Sequence, residues 1–456
     1  MSSFNYELII RGGTLVAETG VQIGDIGVVG GRITTIAPEI REYAPVELIA
    51  TGYHVFPGLI DAHVHFNEPG RAEWEGFASG TRALAMGGIT TFVDMPLNAH
   101  PPTVDAAAFD AKLAAAQGTS MVDFAFWGGL VPGNLDRLDE LAARGVIGFK
   151  AFMANSGIED FAAVDDLTLY EGMARAARLG LPVAVHAEND ALTGLLARRA
   201  VAAGQTSARD YLASRPVIAE LEAISRAVLF AQETGCALHI VHVSTGRGVR
   251  MVAEARARGV DVSCETCPHY LVLNEDDLER LGAIAKCAPP LRPAAEQAEL
   301  WTLLGDGTLP MVASDHSPAP AAMKTGTDFF KIWGGISGCQ STLPLLLTEG
   351  HLARNIPLTR LADATAGFVA RRFRLPGKGR LAVGADADLA LVDLSWDATI
   401  QAEDLQYRHK HSPYVGRRLR GPVMRTLLRG QSILVDGKVY GQPRGQFVRP
   451  AAPPAV

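Results

Sequence analysis

His63 and His65 stand one residue apart in Asp61-Ala62-His63-Val64-His65-Phe66, directly after the apolar run 55–60. On a strand, residues two apart project to the same side, so both imidazoles would face one point. That is half of a metal site, or else two hydrogen-bonded core histidines. Three more positions repeat the arrangement, a ligand-type side chain where an apolar run gives way to a loop. His186 ends the run 181–185, with Glu188 and Asn189 after it. His242 ends 238–241, with Ser244 and Thr245 after it. Asp315 follows 311–314 and precedes His316 and Ser317. Four such ends in one chain favour a shared metal centre. His239 lies inside its run and is expected to be structural.

Lys150, in Ile147-Gly148-Phe149-Lys150-Ala151-Phe152, is a cation in an apolar strand, which is costly to bury. As an ammonium it offers only donors. If burial and nearby cations lower its pKa, the free amine can take up CO₂ and become a carbamate with two oxygens. The alternative is a snorkelling or ion-paired lysine. Charge balance favours the carbamate. Two divalent ions bring four positive charges; Asp315, a carbamate and a bridging hydroxide bring three negative ones, leaving the residual positive charge that a hydrolytic centre needs.

These residues need strands with a common end. Apolar runs at 89–93, 146–152, 183–186, 238–243, 260–263 and 310–313 alternate with helical patterns such as 167–179 and 217–234. Repeated strand–helix alternation predicts a parallel sheet, and eight units over about three hundred residues predict a (β/α)₈ barrel, whose sites lie at the carboxyl ends of its strands. Both ends of the chain read differently. Short strands at 6–10, 26–29 and 32–36, and again at 389–392, 426–428 and 433–435, flank glycine turns. The expected division is 1–56 and 376–456 as the two parts of a small β-sandwich, with the metal-binding barrel at 57–375. Residues 450–456 are expected to be a loose tail.

Composition bounds the rest. The chain has 456 residues, 48% hydrophobic and 20% charged, with a net charge of −7. That balance is globular and argues against nucleic acid as a partner. No apolar run is long enough for a membrane span, and the start MSSFNYELIIRGG lacks the pattern of a signal peptide. Five cysteines suit a reducing, cytoplasmic setting. The Cys264-x-x-Cys267 pair, without a second pair, reads as core packing rather than as zinc-ribbon or redox chemistry.

His63-x-His65, Lys150, His186, His242 and Asp315 occur in the order seen in cyclic amidohydrolases of the amidohydrolase superfamily, which the chain resembles from end to end, including Gly384-Ala385-Asp386-Ala387-Asp388-Leu389. Within that family it looks most like the allantoinases. The matching stretches include Asn67-Glu68-Pro69-Gly70-Arg71, Met95-Pro96-Leu97-Asn98, Cys264-Glu265-Thr266-Cys267-Pro268-His269-Tyr270, Ser314-Asp315-His316-Ser317-Pro318 and Lys331-Ile332-Trp333-Gly334-Gly335-Ile336. The resemblance implies a distorted barrel with a β-sandwich of terminal segments and two divalent ions, zinc being the expected metal. His63 and His65 would hold one ion and His186 and His242 the other. Carboxylated Lys150 would bridge them, and Asp315 would complete the first site. A bridging hydroxide would attack, and Asp315 would carry its proton to the leaving nitrogen. Ser317, Ala288 and Gly334 are expected ring contacts. The implied reaction opens allantoin, a small-molecule substrate, to allantoate, in a homotetramer.

Departures from relatives bear on the substrate. Where dihydroorotases use Arg, Asn and His around the ring carboxylate, this chain has Asn67, Ala288 and Ala319. A pocket without a cation suits a neutral ring. Hydantoinases place a Tyr shortly after the lysine; here the stretch is Phe152-Met153-Ala154-Asn155-Ser156. Two alternatives stay open at this point: a hydantoinase or dihydropyrimidinase, and a non-catalytic interaction protein on the same fold.

Overall fold

In the computed structural model, residues 5–452 are described. Pro453 to Val456, most of the expected tail, lie outside them.

Parallel strands run in succession through the middle of the chain. Leu59–Val64, Ile89–Asp94 and Asp123–Phe126 pair in order, and Gly128–Gly129, Phe149–Phe152, Val183–His186, Leu238–Ile240, Val262–Thr266 and Met311–Val312 pair in a second run. A parallel bridge between Val64 and His316 brings the end of the succession back to its first strand, and the His65 amide donates to the His316 carbonyl. The architecture is the α/β barrel of the expected class. Trp127 breaks the third strand and donates its indole N–H to the Ala62 carbonyl from the barrel interior.

The helices begin where the strands must stop. Asn189 accepts from the Leu192 amide and starts Asp190–Ala202, three residues after His186. Thr245 caps Gly246–Ala257, three residues after His242. Such caps satisfy amides that have no partner inside the helix, and they hold the strand ends in short, fixed turns. The helix expected at 167–179 is Asp166–Arg178, and that expected at 217–234 is Val217–Thr234.

Several strand expectations shift in their bounds, and two of the shifts bear on the site. Residues 146–148 are not strand, and the strand begins at Phe149 because Gly148 passes tightly over the Pro182 carbonyl, which a Cβ would meet at 2.5 Å. The strand expected at 260–263 is Val262–Thr266. Val260 instead closes the preceding helix by donating to the Ala255 carbonyl, and Glu265 is carried into the barrel.

The chain ends meet in one nine-stranded sheet. Its order runs Lys438–Val439, Gln431–Val435, Val423–Leu428, Leu389–Val392, His54–Pro57, Leu8–Ala17, Gly20–Val29, Arg32–Ala37, with Val46–Ile49 also on Leu8–Ala17. Leu15, Ile26, Val55, Leu389 and Leu427 pack into its own apolar core.

Candidate metal centre

The alternation at His63 and His65 brings both side chains to Asp315. Asp315 Oδ1 lies 3.2 Å from His63 Nε2 and 3.4 Å from His65 Nε2. Asp61 fixes the register between first and last strands, accepting from the His63 and Ser314 amides. Across the barrel mouth, His186 Nδ1 stands 3.1 Å from His242 Nε2. The groups are contiguous, with ring centroids 5.4 Å apart between His63 and His242. His242 and Asp315 have positive φ, 39° and 46°, a region that residues other than glycine seldom occupy and that recurs at functional sites.

Buried carboxylates hold the rings in place. His63 Nδ1 sits 2.5 Å from Glu265, which also faces His239 Nε2 at 3.1 Å. His239, expected to be structural, reaches the centre through Glu265, while its other nitrogen meets Ser263. His186 Nε2 lies 2.9 Å from Glu188, which is paired with Arg215. A carboxylate on one imidazole nitrogen leaves the other with its lone pair free, the arrangement found around metal-binding histidines. Burial opposes ionisation of Glu265, yet His63 and His239 hold it down at about 2. Burial likewise opposes Glu188, and Arg215 and His186 hold it at about 2. Asp315 also stays ionised against burial, through His63 and His65. Burial lowers His65, His186 and His242, favouring the neutral, ligating form.

Lys150 is fully buried, and its Nζ has no hydrogen-bond partner among the described residues; it rests 4.3 Å from the centroid of the Phe152 ring. Burial brings its pKa down to about 7. A buried ammonium with three unmet donors is costly. The same feature fits a lysine whose chemistry is completed by an added group. His65 Nδ1 and His242 Nδ1 are similarly buried and unpartnered. The donor set thus fits two cations, three ligands meeting on one side and two on the other, with Lys150 on the strand next to His186.

The centre lines a cavity of about 470 Å³. Ser317, Ala288 and Gly334 all line it, as do Asn98, Asn155 and Ser156. Asn67 and Ala319 do not. The expectation of a pocket without cations is corrected here, because Arg215, Lys286 and Lys331 line the wall. All three are already engaged, Arg215 by Glu188, Lys286 by the Ile332 carbonyl and Lys331 by Asp328 at 3.3 Å. Sequence reasoning missed Glu265, Arg215 and Lys286. Glu265 carried a signal, a carboxylate just past the apolar run 260–263. Arg215 and Lys286 carried none, since they sit in irregular segments.

The sequence profile described as "Amidohydrolase family" matches residues 54–433. Curated relatives include an allantoinase of Rubrobacter xylanophilus, 60% identical over 99% of this chain and 98% of its own, and one of Solibacter usitatus, 57% identical over 98% and 97%. Among solved structures, the L-hydantoinase (dihydropyrimidinase) of Arthrobacter aurescens superposes with a TM-score of 0.95 at 37% identity, over 97% of this chain and all of that one. With the matched profile spanning most of the chain and the relatives nearly all of it, the chain belongs to the amidohydrolase family, alongside the allantoinases.

Proposed function

We propose that this hydrolase opens the cyclic amide of allantoin to give allantoate. The observation that carries the reading is the meeting of His63, His65, His186, His242 and Asp315 on one cavity wall, with the bare Lys150 amine buried nearby, in a chain 60% identical to a named allantoinase. His63, His65 and Asp315 are assigned to one divalent ion, His186 and His242 to the other, and carboxylated Lys150 to the bridge. Two such ions, zinc by our assignment, supply the Lewis acidity that acidifies a water and polarises the ring carbonyl. Glu265 and Glu188 keep His63 and His186 in their ligating tautomers. Asp315 accepts the proton of the attacking water and delivers it to the departing ring nitrogen, which leaves poorly unless protonated. The Ser317 side chain and the backbone at Ala288 and Gly334 hold the ring, and Asn98, Asn155 and Ser156 suit a neutral substrate rich in amide donors and acceptors. We assign the centre to a barrel of residues 57–375 and the protein to a cytoplasmic homotetramer.

The test is turnover of allantoin, hydantoin, dihydrouracil and dihydroorotate by the metal-loaded protein. Allantoin should be preferred, with hydantoin intermediate because it lacks the ureido arm whose contacts position the reacting carbonyl. Dihydroorotate must desolvate its ring carboxylate, and its efficiency should fall about a thousandfold, roughly 4 kcal/mol. Equal efficiency on hydantoin would move the assignment to a hydantoinase. Efficient dihydroorotate turnover would mean that Arg215, Lys286 or Lys331 leaves its partner to take the carboxylate.

A further inference from the structure

Beside the centre lies a second group of donors that the proposed chemistry does not use. Cys267 Sγ, a ring nitrogen of His269 and a carboxylate oxygen of Asp315 all lie within 4.8 Å of one another. Cys267 and His269 are both fully buried, and neither nitrogen of His269 has a hydrogen-bond partner among the described residues. A buried imidazole usually satisfies at least one nitrogen. This one has a thiol and a carboxylate within reach and bonds to neither.

We infer that Cys267, His269 and Asp315 form an inhibitory site for a thiophilic divalent cation, one that shares Asp315 with the catalytic centre. The donor chemistry selects the ion, since sulfur, imidazole and carboxylate together suit zinc or cadmium and not magnesium or calcium. Burial first, and then Asp315, Glu265 and Asp61, keep the Cys267 thiol protonated in the absence of an ion, so only a strongly thiophilic cation displaces its proton. Binding releases the thiol proton to solvent, leaving a thiolate on the ion. The catalytic ions repel a further dication, so this site fills last and more weakly. Once filled, it holds the Asp315 carboxylate and removes it from proton transfer. The inhibition rests on the role assigned to Asp315 above; the existence of the site does not.

The test titrates cadmium into the fully metal-loaded enzyme while following the ultraviolet thiolate-to-cadmium charge-transfer band and the hydrolytic rate together. The assigned catalytic ligands include no thiol, so cadmium exchanging into that centre is silent in this band. The band should rise as activity falls, to about a hundredfold inhibition at saturation, the scale of a lost acid–base group. Cys267→Ser and His269→Asn should each abolish or weaken the band and restore activity in cadmium. Cys287→Ser, at the other cysteine near Asp315, should keep the band. The histidine variant retains the thiol and so gives a second reading if the serine variant folds poorly. No band in the wild type would overturn the site, as would a band that survives Cys267→Ser and disappears in Cys287→Ser. A band dependent on Cys267 with undiminished turnover would overturn the shared use of Asp315. The band reports on the site even if allantoin proves not to be the substrate.

Discussion

In the proposed centre, Lys150 concentrates the chemistry in one atom. It is a buried amine without a partner, brought to about 7 by burial. Lys150→Ala should abolish turnover, and propionate should restore part of it by returning two oxygens to the vacated space; near-normal turnover of Lys150→Ala would make the residue structural. Lys150→Arg should stay inactive, since guanidinium remains charged and forms no carbamate. The lowered pKa also gives a sign to pH dependence. The reactive amine grows as pH rises through about 7, from roughly a tenth at pH 6 to nine-tenths at pH 8. Reactivation of metal-free protein by metal, at a dissolved CO₂ concentration held constant, should therefore quicken about tenfold over that span, and a flat profile would remove carboxylation from the rate-determining step. Glu265 yields a separate prediction. Glu265→Gln cannot accept from His63 and His239 together and turns an amide N–H₂ toward one of them. Metal affinity should drop about 10–100-fold, measured by chelator competition; unchanged affinity would make Glu265 a packing residue. The residues that meet at the candidate centre were legible because each is polar at the end of an apolar run. Their supports were less so, because a buried carboxylate such as Glu188 looks in sequence like any loop acid.

Strands 183–186 and 389–392 were legible to the residue, being short apolar runs bounded by turns. The segment that closes the cavity was not, since residues 321–335 hold only the short 3₁₀ turn Ala321–Lys324. What orders that segment is tertiary. Lys324 donates to the carbonyls of Ala283 at 3.2 Å and Trp333 at 3.0 Å, and to that of Gly335. Gly335 itself passes so close to Ser317 that a Cβ would meet the Ser317 carbonyl oxygen at 2.3 Å. Burial, with Lys286 nearby, brings Lys324 down to about 7, so this link relies on hydrogen bonding more than on charge. Lys324→Met keeps the aliphatic volume and strands the carbonyls, at about 1–3 kcal/mol each for those left buried. Because Trp333, Gly334 and Gly335 line the cavity, the loss should appear mainly as a raised KM for the ring substrate. A fall in kcat at unchanged KM would place Lys324 in support of the metal centre instead.

At the scale of the molecule, the chain ends must be fastened to the barrel they flank, and a buried ion cluster does this. Lys378 bonds Asp123 on a barrel strand, Asp386 at 2.9 Å and Asp388 at 2.8 Å. Asp123 also takes Arg429 and the Gln446 amide. The joining of the two ends could be read from their similar texture, but this cluster could not, because its members are spread from residue 123 to residue 446. Burial disfavours the Lys378 charge, yet Asp388, Asp123 and Asp386 together hold it protonated, with its pKa raised. Removing one partner from such a cluster is costlier than replacing the whole, because the others stay buried and charged. Lys378→Met should therefore lower stability by about 3–5 kcal/mol, read as an earlier denaturant midpoint, while the folded fraction keeps its turnover, since the cluster does not line the cavity. The pH dependence follows from Asp388, whose pKa burial already raises. A carboxylate with a raised folded pKa costs stability above that pKa and is relieved as pH falls through it. Without the lysine the rise is larger, so the deficit of Lys378→Met should shrink from pH 8 toward pH 5. A deficit that stays constant with pH would show that the variant suffers from packing rather than from uncompensated charge.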